Sequence, residues 1–443
     1  MPAPHATPQP LGRRFGAHLS AVGLANLADG LVATAVPLIA ISLTRSPALI
    51  GLLTAAVWVP WLVLGLPAGV LVDRWDRRRT MMVALSIRAL LLGAAAVLAL
   101  TGQLTIWWLV ALALTYGITE VFTDLSAQAQ VPALVGRRAT TLQRANARLL
   151  AVEQIAGGFI GPPLAGVLVA AGAAWALGVP GALVIGAAVT LLVGLRGRYV
   201  ATRPEQTEIT TALGRVSEGM VILWRHPVLR PMLIGGGMWN FASAGFAAVI
   251  VLWLVGPGSA GGLSERTYSL VLVAMPVGAV IGSWLAGRVL ARFTEMRVLV
   301  VCWGVNAVLN VVPLLWPGAL GFALFLFLVA PLGVVGNVIS GSIRPRMVPE
   351  HVLGKVGGAA RVVGYGTMPI GAVVAGQAAE RFGIEAVLCG VVVIILLATA
   401  LVAVQVPQRV VDEHELEPEE RAAESQQPES GEGPAGKSAQ VAG

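Results

Sequence analysis

The sequence predicts an all-α membrane protein of twelve transmembrane helices in two pseudo-repeated six-helix bundles. Three observations predict it. Of the 443 residues, 56% are hydrophobic and only 12% charged, about half the charge of a typical soluble domain. Apolar runs near the roughly twenty residues that cross a bilayer recur from Leu19 to Val406. Short motifs in the first half also reappear at matching places in the second.

The runs place spans at 18–43, 48–72, 80–101, 105–128, 145–171, 174–195, 231–255, 269–290, 298–316, 319–343, 353–377 and 384–406. The first bundle is thus 18–195 and the second 231–406. Between them, 196–230 is a polar linker in which Val216, Met220, Leu223 and Trp224 are spaced for an amphipathic helix on the membrane surface. Residues 1–17 are read as a disordered N-terminus. Residues 407–443 are read as a disordered acidic tail, too polar to build a core.

Charge sets the expected orientation. With the N-terminus placed in the cytoplasm, the outer loops hold only Arg45, Arg266 and Arg381, and the spans enclose Arg88 and Arg361. All other basic residues fall on the inner side, the asymmetry that marks cytoplasmic loops. Both termini are expected there, in a multi-pass protein of the cytoplasmic membrane. The net charge of +7 is therefore an orientation signal, and no nucleic-acid partner is expected.

The halves repeat. Ala68-Gly69-Val70-Leu71-Val72-Asp73-Arg74-Trp75 after span two is matched by Ala286-Gly287-Arg288-Val289-Leu290-Ala291-Arg292-Phe293 after span eight. Val131-Pro132 after span four is matched by Val348-Pro349 after span ten. Many secondary transporters are built from such internal repeats, with the substrate between the halves.

Ionisable residues inside spans are costly and mark function. Asp29 lies near the middle of span one, where a carboxyl is expensive to charge and suits proton exchange or cation recognition. Gly23, Asn26, Gly30 and Ala33 share its side of the helix. Tyr116, Glu120, Asp124 and Gln128 recur at steps of four on one face of span four. Arg88 in span three and Glu153 in span five fall at similar depth, so the expected cluster pairs Arg88 with Asp124 or Glu120. Proton coupling is assigned to Asp29, Glu120, Asp124, Glu153 and Arg88. Substrate contact is assigned to Asn26, Asp29, Tyr116, Trp239, Asn240, Asn337, Arg361 and Tyr365: apolar walls with few polar anchors.

Other chemistries find no residues. The two cysteines, Cys302 and Cys389, sit in apolar runs, and the five histidines lack metal-ligand spacing. Gly354-Lys355 lacks the glycine-rich loop of a nucleotide site. No cofactor, metal or enzymatic activity is expected.

The segment Gly69-x-x-x-Asp73-Arg74-x-Asp76-Arg77-Arg78 resembles the loop motif of the major facilitator superfamily, with Asp76 where a glycine is usual. Gly161-Pro162-Pro163-Leu164-Ala165-Gly166 is similar to the span-five motif of its drug exporters. Asp29-Gly30 with Ala35-Val36-Pro37-Leu38, Val131-Pro132-Ala133-Leu134 and Arg225-His226-Pro227 resemble the enterobactin-exporter and macrolide-efflux group. The resemblance implies the major facilitator fold. It also implies gating by Gly69, Asp73, Arg74, Arg77 and Arg78, whose loop would latch the cytoplasmic side shut, and by Gly161, Pro162, Pro163 and Gly166. The expected function is proton-coupled efflux of amphipathic drugs or antibiotics by a lipid-embedded monomer working by alternating access. The alternatives are a dedicated exporter of one endogenous metabolite, such as a siderophore, and a non-transporting sensor or scaffold on the same fold.

Overall fold

The computed structural model describes residues 11–200 and 209–416. The outermost parts of the expected disordered ends, 1–10 and 417–443, lie outside them, as does 201–208 of the linker. Twelve helices are long and apolar enough to cross a membrane. In the first half they are α1 (Gly12–Leu43), α2 (Pro47–Arg74), α3 (Arg77–Leu100), α4 (Ile106–Val135), α5 (Ala139–Ala171) and α6 (Ala173–Gly194). After the linker helix α7 (Ile209–Arg225) come α8 (Leu229–Leu254), α9 (Glu265–Leu290), α10 (Glu295–Leu315), α11 (Ala319–Met347), α12 (Glu350–Phe382) and α13 (Ile384–Gln405). A short α14 (Gln408–His414) follows.

The helices begin where side chains can cap them. Ser46 accepts from the Leu49 amide at α2, Asp76 from Arg79 at α3 and Ser264 from Thr267 at α9. Three boundaries differ from expectation. The first helix starts at Gly12, so residues 12–17 are helical, with Phe15 buried against Val131 and Ala145. The acidic tail opens with α14, whose Val411 is fully buried. The amphipathic linker helix packs on α12, with Gly219 in backbone contact with Lys355 and Leu223 buried.

The repeat extends to packing. In the first half α1 packs on α5 and α6, α3 on α4 and α6, and α2 on α4. The second half reproduces these pairs with α8 on α12 and α13, α10 on α11 and α13, and α9 on α11. The contacts between halves obey the same two-fold logic, joining α2 to α12 and α5 to α9.

These inter-half contacts rest on close backbone approach. A Cβ on Gly51 would meet the Ala372 carbonyl and the Gly376 Cα, and one on Gly376 would meet the Pro47 carbonyl. A Cβ on Gly166 of α5 would collide with Ser269 of α9. Nearby, Arg45 donates to the Val255 carbonyl at 2.9 Å, and the Ser46 hydroxyl donates to Glu380 at 2.8 Å. All of this lies at the end remote from the basic loops. Near the basic loops α4 makes no substantial contact with any described helix of the second half. The halves are therefore joined at the far end and along α2 and α12 as far as Leu66 and Gly358, and splayed at the basic end where α4 faces the second half.

The tail clasps the basic end of the second half. Arg346 bonds Glu295 and lies 3.6 Å from Glu415, and Gln408 accepts from the Met296 amide that opens α10. Beside them, His226 Nδ1 accepts from the Val228 and Leu229 amides that open α8, at 3.2 and 3.3 Å, and its ring lies 5.8 Å from that of His414.

Two predictions follow from this packing. Gly51→Leu cannot be seated without moving α2 from α12, and overpacking of this kind costs about 1–3 kcal/mol. Spin labels at Ala48→Cys and Arg381→Cys, in a chain with Cys302 and Cys389 changed to serine, should report a longer distance than with Gly51 intact. Burial, then the neighbouring His414, holds His226 below its ordinary pKa. The unfolded chain therefore takes up this proton first, and stability is lost as pH falls through the ordinary histidine range. The unfolding temperature in detergent should drop between about pH 7.5 and about pH 5.5, and His226→Asn, which keeps an acceptor but does not titrate, should flatten that drop.

Candidate functional site

Arg88 lies midway along α3, is fully buried and passes between α1 and α4. Its Nη1 donates to Asp29 Oδ1 at 2.8 Å, and its Nε donates to the Thr119 hydroxyl at 3.1 Å. Tyr116 donates its phenol to the same Asp29 oxygen at 2.5 Å, and its ring lies under the guanidinium, 4.4 Å from Cζ to centroid. Thr119 in turn donates to the Tyr116 carbonyl at 2.6 Å. Four side chains from three helices thus form one hydrogen-bonded unit.

This corrects the expected pairing. Arg88 bonds Asp29, not Asp124 or Glu120: Asp29 lies 2.8 Å from its Nη1, while the two α4 carboxylates act on it only through space. Tyr116 is buried in the same unit. Glu120 and Asp124 follow towards the basic end and make no hydrogen bond or ion pair to any described residue. Both lie within electrostatic reach of Asp29 and Arg88. Glu153 is exposed, within reach of Asp29 and Asp124. Gln128, expected on the same face, is exposed.

The small residues beside Asp29 serve α5. Gly30 meets the backbone of Gly157, Gly161 in turn meets Gly30, and Gly23 faces Val152. The Asn26 amide donates to the Val22 carbonyl of its own helix at 2.9 Å. At this contact α5 changes register into a π-helical turn, Gln154–Ile160, a feature frequent at functional sites. Pro162 and Pro163 come just after it, where the wider turn accommodates residues that cannot donate an amide proton.

In the second half a cavity of about 300 Å³ is lined by Trp239, Asn240, Trp303, Asn337, Ser340 and Arg344, among others. Trp239 and Trp303 pack at 5.2 Å between ring centroids. A Cβ at Gly336 would sit 3.3 Å from Trp303 Nε1, so the absence of a side chain there seats the indole. Three residues assigned to substrate contact, Trp239, Asn240 and Asn337, are thus brought together. Tyr365 is elsewhere, stacked on Trp61 and Trp58 of α2 at 5.5 and 6.3 Å. Arg361 is exposed, one residue from the cavity wall at Ala360. Thr119, Trp303 and Arg344 escaped the sequence reading. Arg344 lies two helical turns beyond Asn337 on the same face, a spacing that could have found it.

In the loop motif, Asp73 lies 3.5 Å from Arg77 and is largely exposed. Arg77 donates to the Ala129 carbonyl, and Arg78 to those of Leu191 and Leu192. These arginines tie the start of α3 to the ends of α4 and α6. Gly69 faces open space. Arg74 packs with Trp75 and Arg79 beside a groove between α3 and α4.

The family model for transmembrane secretion effectors matches residues 15–432. The multidrug efflux pump Tap of Mycolicibacterium fortuitum is 26% identical over 87% of this chain and 93% of its own. The enterobactin exporter EntS of Salmonella typhi is 26% identical over 74% of this chain and 77% of its own. Among solved structures, the nucleoside transporter NupG superposes with a TM-score of 0.67 at 15% identity, over 89% of this chain and 100% of that one. A bacterial homologue of the lysosomal transporter Spinster, inward-facing and occupied, gives 0.67 at 13% identity, over 91% and 98%. The last two establish likeness of fold.

Removing one member of the Arg88–Asp29 pair strands a buried charge. Asp29→Ala or Arg88→Met alone should destabilise the protein by about 3–5 kcal/mol, while the double variant should lose much less than the sum. A double-mutant cycle on unfolding in detergent measures the coupling.

Proposed function

The chain belongs to the transmembrane secretion effector family of the major facilitator superfamily, and from that premise we propose that it exports amphipathic small molecules by proton-coupled alternating access. It is a multi-pass membrane transporter with efflux pumps among its relatives. The observation that carries the coupling proposal is the charge imbalance in the first half. One arginine meets four carboxylates, and only Asp29 is bonded to it. Glu120 and Asp124 stand without partners among the described residues at the splayed end. In an intramembrane site such groups are costly unless protonated, paired or hydrated.

The proposed cycle runs as follows. The basic end faces the cytoplasm, with both termini there, as the charge asymmetry requires. In the present arrangement substrate enters between the halves from that side. Protonation of Glu120, Asp124 or Asp29 lowers the cost of drawing these groups out of water when the basic end closes. Proton uptake at Asp29 also hands Arg88 to whichever of Glu120 and Asp124 stays ionised, and α1, α3 and α4 can then shift relative to one another. Glycine contacts at Gly51, Gly166 and Gly376 part as the far end opens. Asp73, exposed here, is available to latch the closed basic end. The unit acts as a monomer embedded in lipid.

A second reading has its own support. The enterobactin exporters among the relatives favour dedicated export of one metabolite. A substrate panel in proteoliposomes separates the two, since a dedicated exporter accepts one chemical class and a multidrug pump several.

The coupling proposal is tested by Asp29→Asn. In proteoliposomes an imposed proton gradient should no longer drive substrate accumulation, while gradient-independent counterflow survives. Glu120→Gln and Asp124→Asn should each weaken the drive. Accumulation that still follows the gradient in Asp29→Asn would remove this residue from coupling.

A further inference from the structure

Arg344 is a half-buried guanidinium at the wall of the second-half cavity, and it makes no hydrogen bond or ion pair with any described residue. Arginines around it are held. Arg346, two residues on, is bonded to Glu295 and lies near Glu415, and Arg288 donates to the Trp284 carbonyl and stacks on its ring. A charge acting on Arg344 is another cation, Arg361 of α12, which also lacks a bonded partner among the described residues. The described carboxylates of the second half's spanning helices stand only near helix ends, at Glu265, Glu295, Glu350, Glu380 and Glu385.

Two neighbouring cations without a counter-ion, beside a partly apolar cavity, form an incomplete electrostatic arrangement. The cavity supplies the rest of a binding site. Asn240, Asn337 and Ser340 offer hydrogen bonds, and Trp239 with Trp303 offers a flat apolar wall. A guanidinium fits an oxyanion better than any other ligand group, because its donors match two oxygens at once.

We infer that this cavity binds an amphipathic organic acid, with its carboxylate or equivalent oxyanion at Arg344 under the field of Arg361 and its apolar ring system against Trp239 and Trp303. Binding stands on the cavity alone. That the acid is also the exported substrate rests on the export proposal. The division of labour is then electrostatic: carboxylates that exchange protons in the first half, cations that hold an acid in the second.

The test uses the full-length protein in lipid nanodiscs and two probes with the same ring and opposite charge, 1-naphthoate and 1-naphthylmethylammonium, in equilibrium dialysis. Naphthoate should bind saturably, and naphthylmethylammonium should not displace it. Arg344→Gln should weaken naphthoate binding by at least about tenfold, as loss of a charged hydrogen bond requires. Arg361→Gln should weaken it less, and Arg344→Lys should fall between Arg344→Gln and the unchanged protein, because an ammonium keeps the charge and loses the two-oxygen match. Equal unfolding temperatures across the variants establish that the fold is intact. The inference is overturned by absent saturable naphthoate binding, by equal binding of the cation, or by unchanged affinity in Arg344→Gln. It is also overturned if both arginine variants bind naphthoate normally and lose only transport, which would make the arginines closing contacts for the first-half carboxylates. Counterflow separates this from the export proposal. Gradient-driven export of a cationic dye by a protein that shows no saturable naphthoate binding sinks the acid site and leaves export standing. Arg344-dependent naphthoate binding with no counterflow of any probe does the reverse.

Discussion

The contact between Arg88 and Asp29 sets the terms for the first half of this molecule. A guanidinium with no exposed surface cannot stay charged in a membrane interior without an anion and hydrogen-bond acceptors close by. Asp29 supplies the anion, the Thr119 hydroxyl takes the Nε proton, and the face of Tyr116 covers the cation. Because the donors and acceptors come from α1, α3 and α4, the three helices are fixed at one depth. Anything that neutralises Asp29 acts on all three at once. This is the property a coupling residue needs: a local proton event with a consequence for helix positions.

The helix that would respond under the coupling proposal, α5, approaches closely and carries an irregular turn. Gly157 and Gly161 bring its backbone onto Gly30, one residue from Asp29. The π-helical turn over Gln154–Ile160 and the prolines after it weaken the regular hydrogen-bond ladder at that level. Farther along, Gly166 presses on Ser269 of α9, a contact between halves. One helix therefore links the buried ion pair to the seam that holds the far end shut.

The architecture was legible in the sequence because a bilayer leaves few choices. Backbone groups must be satisfied within a helix, so apolar runs of spanning length are helices. The duplication showed in Gly69–Asp73 and Gly287–Ala291 and was matched by the packing. Asp29 and Arg88 were visible as intramembrane charges. Their partnership was not, because pairing depends on the relative depth and rotation of helices, which hydropathy does not give. Asn26 shows a related limit of sequence reading: part of a polar side chain's hydrogen bonding can be spent on its own helix, as this one's is on Val22. Arg344 escaped because it follows a run that already looks like the end of a span. Only the fold shows that its side chain returns to a cavity wall.

The two halves share a fold and differ in charge, and the proposed alternating access would make that difference consequential. In the proposed cycle the open basic end would admit water to Glu120, Asp124 and Glu153 on one side and to Arg344 and Arg361 on the other. Closing that end withdraws the water, and a carboxylate then needs a proton or a cation, while an arginine needs an anion. If the two sets simply paired with each other, closure would be favourable in the empty protein and the gradient would do no work. If a bound acid occupies the arginines, the carboxylates lose that option and must take up protons before the end can close. Occupancy of the second half would then require protonation of the first, which couples the two fluxes through electrostatics alone and needs no direct contact between substrate and proton.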